Sequence, residues 1–214
     1  MFQILINALR ETIYMIFFAS IFSMALGIPF GMLMMKLATT ENKTIKAIFV
    51  VCNSTLQFAK YTPYLLIMLL FIPLTNWLII HGISYTTATL LPLTTVGTLL
   101  LAQRVYRILL DLNGQWQGIT KALGATQKQS LFLILLPEAR TDLIKAATDT
   151  CVLVLGFSII AGALGAGGLG QLAVEKSINE PDHLCMLLSI ILLVVIQQLI
   201  AYTGHLVIQH TQPR

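Results

Sequence analysis

An all-α membrane protein with about five transmembrane helices is the fold class this sequence predicts, and three observations carry that expectation. Only 10% of the 214 residues are charged while 57% are hydrophobic; a soluble domain carries about 25% charge. The mean hydropathy is +0.83. The uncharged residues fall in runs long enough for helices that cross about 30 Å of hydrocarbon. Lys and Arg gather between alternate runs. Helices are expected because every backbone polar group in lipid must be satisfied internally.

The runs place the spans in order within one domain, 1–214. Thr12 to Met35 is free of charge and predicts the first span over about 12–35. Its apolar region is too long for a signal peptide, and no small-x-small cleavage site follows a short core. Gly27, Pro29 and Gly31 inside it suggest a kink packed against neighbours or, less economically, a hinge. Tyr61 to Gln103 holds no Asp, Glu, Lys or Arg. It predicts spans over about 61–80 and 84–103, with a turn at His81-Gly82-Ile83-Ser84. Pro63, Pro73 and Pro92 are expected to break or bend them. Thr150 to Val174 predicts a span over about 147–170, and Leu184 to Val207 one over about 184–207.

Orientation follows from the basic residues. One side collects Lys36, Lys43, Lys46, Lys60, Arg104, Arg107, Lys121, Lys128, Arg140, Lys145 and Arg214, and the other only Arg10 and Lys176. Eleven against two puts the amino terminus outside and the carboxyl terminus in the cytoplasm. The net charge of +4 is accounted for by these inside loops, so no nucleic-acid partner is expected.

The polar segment over about 112–138 is the most informative. Trp116, Ile119 and Leu123 form a narrow apolar stripe at helical spacing. Gly124 suits a helix C-terminal cap with positive φ. Thr126 and Gln129 have the spacing of a capping box that opens a second helix. Pro137 is expected to end the apolar run that follows. Two short helices around a capped turn make a rigid knob for docking into a groove.

Other signals carry less. Gly165-Ala-Gly-Gly-Leu-Gly170 fits G-x-G-x-x-G, but closes an apolar helix where a dinucleotide site needs a preceding strand. It is read as close packing or a turn at the membrane face. Asp182, His183 and Cys185 fall short of the ligand number a metal site needs. Cys52, Cys151 and Cys185 are expected as reduced apolar fillers. Asp149 is read as an interfacial carboxylate paired with Lys145, and no span carries a charge at its centre, which argues against ion coupling. No G-x4-G-K-[ST] and no catalytic constellation is present. The chain is therefore expected to be no enzyme, and to bind neither ATP nor metal itself.

The segment 112–138 resembles the cytoplasmic coupling loop of bacterial ABC-importer permeases, whose pattern is Glu-Ala-Ala-x3-Gly-x9-Ile-x-Leu-Pro. Gly124, Ile134, Leu136 and Pro137 fall in register. The methionine-importer permease family is most similar, through Ala122-Leu-Gly-Ala-Thr, Leu136-Pro-Glu-Ala, Ala163-Leu-Gly-Ala-Gly-Gly-Leu-Gly-Gln171 and Tyr61-Thr-Pro-Tyr64. The chain departs from the pattern at the Glu-Ala-Ala positions, which read Gly118, Ile119 and Thr120; the carboxylate is lost, and Gly costs about 1 kcal/mol of helix stability relative to Ala.

The resemblance implies a type I ABC-importer permease fold in the inner membrane, with a cytoplasmic helix-turn-helix coupling loop. Its ATPase contacts would be Trp116, Gly118, Ile119, Thr120, Ala122, Leu123, Gly124, Ala125, Thr126, Ile134, Leu136, Pro137 and Glu138. It implies a second copy of the chain, a cytoplasmic ATP-binding subunit that holds ATP and Mg, a periplasmic or lipid-anchored substrate-binding protein, and surrounding lipid. Ser158, Ile159 and Ile160 match the family's pore segment and are candidates for an apolar gate. Apolar spans containing Met24, Met32, Met34, Met35 and Met68 suit a net-neutral zwitterion such as L- or D-methionine. Another small neutral amino acid or organic solute is the alternative cargo; a non-transporting scaffold and a membrane-embedded enzyme are the alternatives outside transport.

Overall fold

The computed structural model describes residues 2–40, 43–122, 124, 126, 129–178 and 182–211, and every regular element among them is helical. Helix α1 (Phe2–Ala38) has 37 residues, about 55 Å at 1.5 Å per residue. It starts well before the charge-free run, so Arg10 and Glu11 lie inside the helix. Pro29 also lies within it and does not end it.

Gly27 and Gly31 press α1 onto α5 (Leu90–Ala122), the most extensive helix contact in the fold. A Cβ on Gly31 would lie 2.6 Å from Val105 Cβ and 2.7 Å from the Ala102 carbonyl oxygen. One on Gly27 would lie 3.0 Å from Leu101 Cβ, and one on Gly97 of α5 would overlap the Ser23 hydroxyl. Small residues four apart let two membrane helices approach to backbone contact. The packed reading of these glycines therefore holds.

Helix α2 (Lys43–Tyr61) corrects the sequence reading, which left this segment as a connection. Phe49, Cys52 and Leu56 share one face and pack beside Met34 and Ala102, with Leu56 fully buried. Lys43, Lys46 and Lys60 hide this apolar stripe from any search for uncharged runs. The helix stops at Tyr61 because the ring of Pro63 disfavours helical backbone in the residue before it. Pro63, with φ −55° and ψ 134°, opens α3 (Tyr64–Ile80). Among the described residues, four helical stretches can cross a membrane by length and composition, Phe2–Ala38, Tyr85–Trp116, Ser130–Ala166 and His183–Thr211; Ile45–Phe58 and Tyr64–Ile80 are apolar but shorter.

The expected turn after α3 is present. Gly82 adopts φ +87°, and the Ser84 hydroxyl accepts the Thr87 N–H at 3.3 Å to cap the short α4 (Tyr85–Ala88). Helix α5 then runs past the expected end at Gln103 to Ala122; no proline intervenes, and Gly114 and Gly118 are carried within the helix. Pro92 sits in its first turn, where a missing N–H costs little.

Ser130–Leu135 forms a π-helical turn that leads straight into α6 (Leu136–Ala161). Pro137 thus starts a helix, contrary to the expectation that it would end one. The Leu136 N–H bonds five residues back to Leu131, and the proline follows in the first turn, where its N–H is not needed. A second π turn, Gly162–Ala166, closes α6. Helices α7 (Gly168–Ile178) and α8 (His183–Thr211) complete the chain. Asp182 Oδ1 accepts the Cys185 N–H at 3.2 Å, so Asp182 caps α8. Among the described residues no group of three or more His, Cys, Asp or Glu side chains could hold a metal ion, and the three cysteines are free.

The methionines fill the core of the protomer. Met34, Met35 and Met68 are buried, and Met24 and Met32 pack against Leu101, Val105 and their neighbours.

Candidate functional site

Two turns at opposite ends of the long helices frame the candidate site. The first follows α5. Gly124 has φ +64°, the left-handed conformation that Gly adopts without penalty. A Cβ there would meet nothing within 4 Å, so the turn selects Gly by backbone strain and not by crowding. The capping box is formed: Gln129 Oε1 accepts the Thr126 N–H at 2.9 Å, and Thr126 Oγ1 accepts the Gln129 N–H at 3.4 Å.

The helices flanking this turn are the ends of α5 and α6, and not two separate short helices as expected. Trp116 is half-buried and packs against the cluster that holds Leu109, Leu131 and Leu135. Ile134 and Leu136 are half-buried, while Gly118, Gly124, Thr126, Pro137 and Glu138 are exposed. Ile119, Thr120 and Ala122 lie in α5 by backbone, but their side chains, and the whole of Leu123 and Ala125, lie outside the described residues. Gly118 is helical, and a Cβ there would meet nothing within 4 Å.

The second turn is the glycine run. Gly165, Gly167 and Gly168 have φ of +96°, +98° and +79°, three needs within four residues for a residue without a Cβ. Helix packing is equally close: a Cβ on Gly170 would lie 2.6 Å from the Ile159 carbonyl oxygen, and one on Gly162 2.8 Å from the Gln171 nitrogen. Both readings of the run, turn and close packing, hold.

Helix α7 opens on glycine, which carries no side chain to cap it, and α1 supplies the acceptors. Glu11 Oε2 accepts the Gly168 N–H at 2.7 Å, and Thr12 Oγ1 accepts the Leu169 N–H at 2.8 Å. Gln171 Oε1 accepts the Gly167 N–H at 2.9 Å. A carboxylate at a helix N-terminus also gains from the helix dipole. Glu11, Ser84, Thr86 and Gln171 line an open cavity of about 610 Å³ at this end. Sequence reasoning missed the role of Glu11 and Thr12. The detectable signal was a helix start with glycine at Gly167 and Gly168, where no capping side chain is present.

Of the three gate candidates, Ser158 is buried and its hydroxyl donates to the Leu155 carbonyl at 2.7 Å. Ile159 packs with Leu169, Leu172 and Leu193, whereas Ile160 packs with Met15, Val96 and Val154. The two isoleucines thus take different faces of α6, as successive residues of a helix must. Beside them the rings of Phe157 and Tyr64 stack with centroids 4.3 Å apart.

Asp149 corrects a sequence expectation. Its carboxylate lies 3.5 Å from Arg104 Nη1 on α5, with 35% of the Arg104 and 56% of the Asp149 side chain exposed. The expected partner was Lys145, one turn away on its own helix; α5 and α6 pack together and bring Arg104 alongside. Both residues fall inside stretches long enough to span a membrane.

Long apolar helices, with a capped turn at one end and a glycine turn at the other, define a multi-pass α-helical membrane protein. No protein-family model matches the chain. The probable D-methionine transport system permease MetI of Vibrio cholerae is 30% identical over 215 residues, covering 99% of this chain and 94% of its own length. Its counterpart in Pasteurella multocida is 31% identical over 164 residues, covering 77% and 75%. A chain of the inward-facing MetNI methionine ABC transporter superposes with a TM-score of 0.88 at 27% identity, over 100% of this chain and 98% of that one. An amino acid ABC transporter solved with histidines shares the fold at a TM-score of 0.68 and 19% identity. The chain belongs to the MetI family of ABC-importer permeases.

Proposed function

We propose that this chain is the permease subunit of an ATP-driven importer that moves methionine, as the L- and D-isomers, across the bacterial inner membrane by alternating access. The capped turn at Gly124 is the observation that carries the reading. It lies between the end of α5 at Ala122 and the π turn Ser130–Leu135 that leads straight into α6, so a push on it reaches two long helices. The names of the similar proteins support the cargo and the assembly.

In this reading two copies of the chain form the passage. A cytoplasmic ATP-binding subunit holds ATP and Mg and docks on Trp116, Gly118, Ile119, Thr120, Ala122, Leu123, Gly124, Ala125, Thr126, Ile134, Leu136, Pro137 and Glu138. A periplasmic or lipid-anchored binding protein delivers the amino acid at the glycine-turn end. The bias of Lys and Arg puts the Gly124 end inside and the amino terminus outside. Ile159 or Ile160, repeated across the two copies, closes the passage by excluding water.

The test is co-purification with the ATP-binding subunit followed by ATP hydrolysis in proteoliposomes. Hydrolysis stimulated by the methionine-loaded binding protein supports the permease. A stable complex whose hydrolysis ignores every loaded binding protein identifies a scaffold instead.

A further inference from the structure

The Arg104–Asp149 pair stands in a wider arrangement of mixed charge. Arg104, Arg107, Asp142, Lys145 and Asp149 line one cavity of about 300 Å³ between α5 and α6, floored by Ile108 and Ala146. Asp142, Lys145 and Asp149 also line a second, of about 360 Å³, where α8 contributes His205 and Ile208 and α6 adds Val152. The shared residues therefore connect two spaces of the size that small-molecule pockets occupy.

Three physical points bear on what these spaces take. Ionisable side chains within spans face a bundle interior or a water-filled cavity, since exposure to lipid is costly. Arg104 and Asp149 are 3.5 Å apart, longer than the roughly 2.7–2.9 Å of a tight charge-assisted bond. Neither neutralises the other fully, and each retains free hydrogen-bonding capacity. Finally, cations and anions alternate over a few side chains beside an apolar floor. A lone cation would meet repulsion from Arg104, Arg107 and Lys145, and a lone anion from Asp142 and Asp149; a molecule carrying both charges would meet complementary partners for each.

We propose that this cluster is a binding site in the permease for the zwitterionic head of an α-amino acid, at the Gly124 end of the passage. Asp149, with Asp142, takes the ammonium group. Arg107 and Lys145 take the carboxylate, while Arg104 holds Asp149 in place. Ile108 and Ala146 give the side chain an apolar bed, which accepts neutral cargo of several shapes. The inference rests on the reading of the chain as an amino-acid permease, and names where that permease holds its cargo before release.

The experiment uses the permease–ATPase complex in nanodiscs of phosphatidylglycerol and phosphatidylcholine, with binding protein omitted and labelled methionine as the probe. Competitors are methionine methyl ester, which lacks the carboxylate, and N-acetylmethionine, which lacks the ammonium group. In the wild type each competes at least about tenfold more weakly than methionine. Asp149→Asn weakens methionine by about tenfold and leaves N-acetylmethionine nearly unchanged; Lys145→Gln does the converse with the methyl ester. The swap Arg104→Asp with Asp149→Arg keeps an ion pair and the assembly, yet still loses the substitution-sensitive binding.

Full restoration of binding by the swap, or equal loss for all three compounds, would reduce the pair to a structural brace and overturn the proposal. So would displacement of methionine by added phosphatidylethanolamine, which assigns the site to a lipid headgroup. Failure here leaves methionine import untouched if uptake persists. Charge-dependent binding of another neutral amino acid, with no binding of methionine, keeps this site and overturns the cargo.

Discussion

Replacing Gly31 by Ala isolates a close backbone contact between α1 and α5. The new Cβ would sit 2.6 Å from Val105 Cβ and 2.7 Å from the Ala102 carbonyl oxygen. Carbon atoms at optimal separation are about 3.5–4.0 Å apart, and neither neighbour is the free end of a flexible side chain, so α1 and α5 must separate locally by about 1 Å. Overpacking of this kind costs about 1–3 kcal/mol, against which Ala returns about 1 kcal/mol of helix propensity relative to Gly. The net expectation is a loss of up to about 2 kcal/mol. Gly118→Ala is the control, because its Cβ would meet nothing within 4 Å; it should gain about 0.5–1 kcal/mol. Unfolding of the purified permease from mixed micelles by increasing SDS, followed by tryptophan fluorescence, orders the two variants. If Gly31→Ala proved as stable as Gly118→Ala, the account of α1–α5 packing through small residues would be wrong.

Three further expectations test the two turns and the topology. Gly124→Val places a β-branched residue at φ +64°, costing at least about 1–2 kcal/mol at the corner; it should depress uptake with normal membrane insertion, while Gly124→Asn, which tolerates that conformation, stays near wild type. Thr12→Val leaves the buried Leu169 N–H without its acceptor, a loss of about 1–3 kcal/mol, visible as a lower SDS midpoint, whereas Thr12→Ser should preserve the bond. Reporter fusions after Lys121 should read cytoplasmic and those near Glu180 external, and an inverted result at either position would detach the Gly124 corner from any cytoplasmic ATPase.

Much of this architecture was legible in the sequence because the bilayer imposes simple rules. Uncharged runs located α1, α3, α5, α6 and α8, and turn chemistry located the corners at Gly82, Gly124 and Gly165. The positive φ at Gly124 and the Thr126–Gln129 box follow from local residue types alone, which is why they could be read. Helix α2 could not, since three lysines interrupt its apolar stripe while Leu56 still buries completely. Pro137 was misjudged because a π turn changes which N–H groups a following helix needs. The Arg104–Asp149 pair and the Glu11–Thr12 cap join residues 45 and 157 positions apart, and no local pattern encodes such a meeting. The contribution of Gly118, where the family pattern has Glu, is a loss of charge and helix propensity that the open surroundings neither demand nor oppose.

The most direct test of the central claim is uptake of labelled methionine into vesicles that contain the complete complex, with ATP inside and the binding protein outside. The account predicts ATP-dependent accumulation of L- and D-methionine that Gly124→Val abolishes. ATP-dependent accumulation of a different solute, with none of methionine, would contradict the cargo assignment; no ATP-dependent uptake of any amino acid by an assembled complex would contradict the permease itself.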